Sequence, residues 1–202
     1  MSELLVAVLG TDHHPFDRLV SWLDDWIADR SDVEAFAQTG YSRPLLSADS
    51  ADIIPRDELV DHLGRARVVV THGGPNTIMD ARSAGLLPIV VPRTASRGEH
   101  VDDHQVAFSR RMAEAGWIHL AETEAALRTQ LDRAYTDPMA YRICGDASPA
   151  SRAAENVGAV LSDALGRAPG WVRVRRVTQL IRFAWRARMT TAAHVGTEGE
   201  DG

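Results

Sequence analysis

Val68-Val69-Val70-Thr71-His72-Gly73-Gly74-Pro75-Asn76-Thr77-Ile78-Met79-Asp80 is an apolar run that breaks at two glycines and resumes with helix-competent residues. With Arg67, the run reads as a strand buried on both faces over 67–71. The segment after the glycines reads as a helix to about Ala84, closed by Gly85. Such a turn lets a ligand approach the backbone closely and aims free helix N-terminal amides at an anion, typically a phosphate. No Gly-Lys-Ser/Thr follows, so it is not a Walker loop, and it does not match Gly-x-Gly-x-x-Gly. A plain strand-to-helix connection is the alternative reading.

Upstream the same unit occurs once more. Leu4 to Leu9 is almost unbroken apolar sequence ending in Gly10-Thr11, after which Phe16, Leu19, Val20, Leu23, Trp26 and Ile27 recur at helical spacing, with Pro15 in the first turn. Val33 to Gln38 is a weaker strand, and Pro55 to Arg65 a short helix with Leu59, Val60 and Leu63 facing inward. Downstream, Leu87 to Val91 is a strand stopped by Pro92. Helices are expected over 102–115, 122–135 and 149–165, with a short strand over 117–120. Alternating strands and helices imply an α/β fold with a doubly wound parallel sheet, in which ligands bind beyond the carboxyl ends of the strands. Both glycine turns sit at such ends.

The bulk composition narrows the function classes. A chain of 202 residues with 45% hydrophobic and 25% charged content has room for one α/β domain and an appendage. Its net charge of -6 argues against general nucleic-acid binding. The single cysteine, Cys144, cannot form an intrachain disulfide and implies a cytosolic setting. Met1 to Gly10 has no basic n-region, and its apolar run is too short for a signal peptide or a membrane span. Composition breaks at 166–170, which places a first domain over 1–166. The segment 167–189 is expected to be an amphipathic helix in which every basic residue is Arg and no acidic residue occurs, and 190–202 a disordered tail. With Trp171 and Trp185 near its ends, the stretch over 171–189 suits an anionic membrane surface or a membrane-bound partner protein. A helix packed back on the domain is the alternative.

A second polar loop runs Val91-Pro92-Arg93-Thr94-Ala95-Ser96-Arg97-Gly98-Glu99-His100-Val101-Asp102-Asp103-His104-Gln105, between a buried strand and an amphipathic helix. Loops at this edge of a sheet are where binding residues concentrate. Glu99, His100, Asp102, Asp103 and His104 could suggest a metal site, but they crowd consecutive positions without the i, i+4 spacing of a helical His pair. No metal ligands are assigned.

Taken in order, Gly10-Thr11 with the segment from Pro15 to Val20, the turn from Thr71 to Thr77, and Val91-Pro92-Arg93 with the stretch from Glu99 to Gln105 resemble the carboxyl-terminal domain of glycosyltransferase family 28. Within the family the chain is most similar to the free-standing subunits of split enzymes, the soluble subunit of the dolichol-linked N-acetylglucosaminyltransferase and its bacterial exopolysaccharide counterparts. The resemblance covers about residues 4–165 and excludes the Arg-rich tail.

The resemblance implies a single Rossmann-like half of a GT-B fold that binds a UDP-sugar, with the acceptor half on a separate membrane-anchored subunit. Gly10 and Thr11 would flank the diphosphate, and His72, Gly73, Gly74, Asn76 and Thr77 would form the phosphate-facing turn. Asp80 falls where the family places an acidic residue on the ribose hydroxyls, and Glu99, Asp103 and Gln105 match the loop facing the donor sugar and nucleotide. Pro75-Asn76-Thr77 departs from the family's usual small residue followed by Gly-Ser.

Backbone amides and a helix dipole can stabilise a departing diphosphate without a metal, so no cofactor and no essential divalent ion is expected. His13 and His14 are candidates for the general base that takes the acceptor's proton, or else simply shape their loop. In the split-enzyme picture the base sits on the partner and this chain is inert alone. The expected function is the donor-binding subunit of a two-component inverting transferase acting on a lipid-linked saccharide, cytoplasmic and peripheral at the inner face of the membrane. A nucleotide-sugar epimerase or hydrolase relative, and a non-catalytic adaptor, are the alternatives.

Overall fold

The computed structural model describes residues 4–143. The expected helix over 149–165, the Arg-rich helix, the polar tail, the boundary at 166 and Cys144 lie outside the described residues.

Six parallel strands form one sheet, β1 (Leu5–Val8), β2 (Ala35–Gln38), β3 (Asp49–Ala51), β4 (Val68–Thr71), β5 (Ile89–Val90) and β6 (His119–Leu120), in the order β3-β2-β1-β4-β5-β6. Five helices accompany them: α1 (Asp17–Ile27), α2 (Arg56–Arg65), α3 (Pro75–Ser83), α4 (His104–Glu114) and α5 (Glu124–Thr136). The apolar runs form the central strands because both faces of the sheet are covered, and in β1 and β4 the one polar side chain is that of Thr71 at the end of β4. Leu5, Ala7, Leu9, Val68 and Val70 pack on one face with the buried sides of α1 and α5. Leu4, Val6, Val8 and Val69 pack on the other with Leu63 of α2 and Ala81 of α3. Helices on both faces make the sheet doubly wound, as the alternation of elements predicts.

From β1 the chain winds outward through β2 to β3, then crosses back to lay β4 against the other side of β1. The winding direction therefore reverses between β1 and β4, the point at which sheets of this kind open a crevice for ligands. The two strands are in register, Val8 opposite Thr71, so the Gly10 and His72 turns leave the sheet side by side.

Three local expectations are corrected. The edge strand β3 is not anticipated, because Asp49-Ser50-Ala51 carries no apolar pattern and is defined by its pairing with β2 alone. Val60 is 47% exposed instead of inward-facing, since Leu59 and Leu63, one turn apart, and His62, stacked on Phe36, take the sheet side of α2. Pro15 precedes α1, which begins at Asp17 after Phe16. Among the described residues no helix is long and apolar enough to cross a membrane.

Candidate donor site at the sheet reversal

The β4–α3 turn is built around the His72 ring. Its backbone N–H donates to Val8 O at 3.2 Å, and Thr71 Oγ1 donates to the same carbonyl at 3.1 Å, which locks the end of β4 to the end of β1. The ring then lies between two glycines. A Cβ on Gly10 would sit 2.7 Å from His72 Cε1, and one on Gly74 would sit 2.2 Å from Nε2. Gly10 also holds a φ of 90°, in the left-handed region that a side chain disfavours. Both glycines are therefore demanded by one imidazole. Burial, reinforced by the Arg93 guanidinium, lowers the His72 pKa to about 4, so the ring is neutral over the ordinary pH range.

Helix α3 starts immediately after this ring. Its N-cap, Gly74, supplies no side-chain acceptor, and Pro75 at the first position has no N–H to satisfy, leaving the first-turn amides of Asn76 and Thr77 without a capping side chain. An uncapped helix start at a sheet reversal carries partial positive charge suited to an anion. Asp80, on the same helix, forms an ion pair of 2.6 Å with Arg56, a residue whose side chain is 77% exposed. That arginine is held by little else and can leave the carboxylate to another donor.

The loop after β5 is organised inward. Arg93 is fully buried and donates to Leu9 O at 2.9 Å and Glu99 O at 3.0 Å, with a further bond to His14 O. One guanidinium thus ties the β1–α1 loop to the β5–α4 loop. Burial lowers its pKa, opposed by Asp12 and Glu99. Gln105 Oε1 accepts from Gly73 N at 3.1 Å and Arg93 N at 3.4 Å, fixing the glycine turn to the start of α4. Glu99 receives Arg18 in a two-pronged ion pair of 2.7 and 2.8 Å and accepts from Thr94 N at 3.0 Å. Burial alone would raise the Glu99 pKa, but these donors outweigh it and hold it below the ordinary carboxylate value. Asp103 Oδ1 accepts from Ala95 N at 2.8 Å across a 3-10 turn at Ala95–Arg97.

The structure accordingly brings Gly10, His72, Gly73, Gly74, Asn76 and Thr77 together at the carboxyl ends of β1 and β4, with Thr11 exposed. Gln105 and Glu99 stand behind that surface, with their side-chain oxygens occupied by protein donors. Asp103 caps its own loop, and Asp80 lies one helical turn beyond Asn76. Arg93 and Arg18 organise the region although the sequence reading assigned them no role. Their acceptors include backbone carbonyls, which no residue pattern marks. His14 Nδ1 lies 2.6 Å from Asp12 Oδ1, while His13 is largely exposed. Burial tends to raise the Asp12 pKa, but the His14 amide and the His14 and His100 rings outweigh it and bring it to about 2.

Comparison with known proteins bears on the fold and the family. Over 87 residues the chain is 32% identical to the UDP-N-acetylglucosamine--N-acetylmuramyl-(pentapeptide) pyrophosphoryl-undecaprenol N-acetylglucosamine transferase of Bordetella petrii, a match covering 42% of this chain and 21% of that enzyme's length. The solution structure of ALG13 superposes with a TM-score of 0.50 at 17% identity, covering 75% of this chain and 93% of ALG13. A putative UDP-N-acetylglucosamine 2-epimerase from Listeria monocytogenes superposes at 0.53 with 14% identity, covering 83% of this chain and 46% of the other. These likenesses establish the half-GT-B architecture. The glycosyltransferase family 28 C-terminal domain matches residues 18–157, well over half of the sequence, and the chain belongs to that family.

Proposed function

We propose that this chain binds a UDP-sugar as the donor subunit of a two-component inverting glycosyltransferase acting on a lipid-linked saccharide, with the acceptor site on a membrane-anchored partner. The observation that carries the reading is the pair of turns that leave the sheet side by side where the winding reverses between β1 and β4. A neutral imidazole wedged between two glycines stands beside an uncapped helix start, in a domain of transferase lineage. As the acceptor hydroxyl attacks the anomeric carbon and its bond to the diphosphate oxygen breaks, negative charge grows on the leaving group. The Asn76 and Thr77 amides and the α3 dipole stabilise that charge without a metal. Gly10 and Thr11 line the other side of the diphosphate, and Asp80, released from Arg56, accepts from the ribose hydroxyls. Glu99, Asp103 and Gln105 act by holding the loop that meets the sugar and nucleotide.

The hydroxyl proton goes to a base on the partner. The test is calorimetric titration of the purified protein with UDP and a panel of UDP-sugars, with EDTA present throughout, beside Asp80→Ala. Metal-independent binding that weakens at least about tenfold in the variant is expected, consistent with the loss of a charged hydrogen bond. Absence of binding to every nucleotide would overturn the donor reading for the isolated chain and favour the adaptor.

A further inference from the structure

Asp12 lies between the β1–α1 and β5–α4 loops with three imidazoles turned toward it. His14 Nδ1 stands 2.6 Å from Oδ1, His13 Nδ1 3.6 Å from Oδ1, and His100 Nε2 3.5 Å from Oδ2. Asp12, His13 and His14 each present a ligand atom within 4.8 Å of the others. His100 comes from a loop 86 positions further along the chain and is only 12% exposed, so its approach is fixed by the fold and not by neighbouring sequence.

We propose that Asp12, His13, His14 and His100 bind a divalent transition-metal ion of the Zn²⁺ class, which staples the β1–α1 loop to the β5–α4 loop beside the candidate donor site.

The donor set and its spacing both favour this. Two or three imidazoles with one carboxylate is a zinc-type ligand chemistry, and Ca²⁺ or Mg²⁺ would call for more oxygens. Tetrahedral ligands at about 2.0–2.1 Å from an ion stand about 3.3 Å apart, and the three imidazole nitrogens lie 2.6–3.6 Å from a carboxylate oxygen of Asp12. The surroundings supply the orienting carboxylate that such sites use. The other ring nitrogen of His100, Nδ1, faces Asp102 Oδ1 at 3.6 Å, so one imidazole spans two carboxylates in the way a metal-bound histidine is commonly held. Asp102 itself is engaged by His104, from both its backbone N–H and its ring. His100, Asp102 and His104 also bring ligand atoms within 4.8 Å of one another, but Asp102 and His104 are 59% and 57% exposed against 29% and 23% for Asp12 and His14, so they are assigned as positioning residues. The staple would join the same two loops that Arg93 joins from inside, and it is independent of which sugar, or whether any sugar, is bound.

The test is titration of the full-length, chelator-stripped protein with Zn²⁺ in competition with a chromophoric chelator, together with the thermal midpoint with and without the ion. One ion per chain at micromolar affinity or tighter, with a raised midpoint, is expected. His14→Ala and His100→Ala should each weaken binding at least about tenfold, Asp102→Asn by about tenfold, and His104→Ala by less than threefold. Circular dichroism checks that the variants fold. Binding lost in His104→Ala but kept in His14→Ala and His100→Ala would overturn the proposal, as would retention in all variants or no binding by the wild-type chain.

Discussion

Substituting Gly74 by Ala tests the geometry of the His72 turn directly. The backbone at Gly74, φ -79° and ψ 126°, is open to any residue, so the substitution introduces no conformational strain. By restricting the unfolded chain it should even stabilise by about 0.4–1 kcal/mol. Against this, the new methyl would stand 2.2 Å from His72 Nε2 and 2.8 Å from Cε1, more than 1 Å inside ordinary contact. The ring cannot slide away freely, because its other side is against Gly10. Overpacking costs about 1–3 kcal/mol, and an overlap as close as 2.2 Å belongs to the upper half of that range, which leaves a net destabilisation of about 1–2.5 kcal/mol. Removing the ring should abolish the clash, so in His72→Ala/Gly74→Ala the two effects fall short of additivity by about the same amount. Gly10→Ala behaves differently. The strain of a positive φ, about 1–2 kcal/mol, persists whether or not the ring is present, so His72→Ala rescues it only in part. Urea denaturation of the three single and two double variants measures all of this. A neutral Gly74→Ala, or strict additivity with His72→Ala, would refute the wedge.

Two further outcomes follow from the buried charges. Glu99→Ala leaves the Arg18 guanidinium without its two-pronged partner at a site where the side chains are 12% and 5% exposed, and should cost about 3–5 kcal/mol. Arg18→Met/Glu99→Leu should recover most of that in denaturation, whereas a Glu99→Ala protein of wild-type stability would show that the pair is not structural. The His72 pKa, lowered from 6.5 to about 4, means the folded protein binds fewer protons than the unfolded chain between those values. Its contribution is present above pH 6.5 and is lost as pH falls toward 4, by about 3 kcal/mol in all. His72→Gln should lose less stability than wild type over that interval, and parallel stability–pH curves would contradict the assignment.

The parts of this molecule that are legible in its sequence are those where side chains alone carry the information. β1 and β4 are recognisable because a strand covered on both faces has few positions for a polar residue, and the two glycine turns because Gly10 and Gly74 meet a ring that forbids a Cβ. β3 is invisible for the converse reason. Asp49, Ser50 and Ala51 form a strand through backbone bonds to β2, and a backbone group looks the same in every residue. The same blindness extends to the loop after β5. Its density of polar residues reads as a surface facing a ligand, yet Arg93 spends its donors on the carbonyls of Leu9, His14 and Glu99, Gln105 accepts from the amides of Gly73 and Arg93, and Glu99 is held by Arg18 and the Thr94 amide. A family motif records which residues a site needs without separating those that touch the ligand from those that hold the loops. The paired turns at the ends of β1 and β4 present mainly backbone amides, one neutral imidazole and a helix end, and such groups bind well only if they are already in place. The inward-turned polar residues supply that placement, so substituting Arg93 or Glu99 would weaken donor binding through the position of Gly10, His72 and Gly73, and not through a lost contact with the sugar.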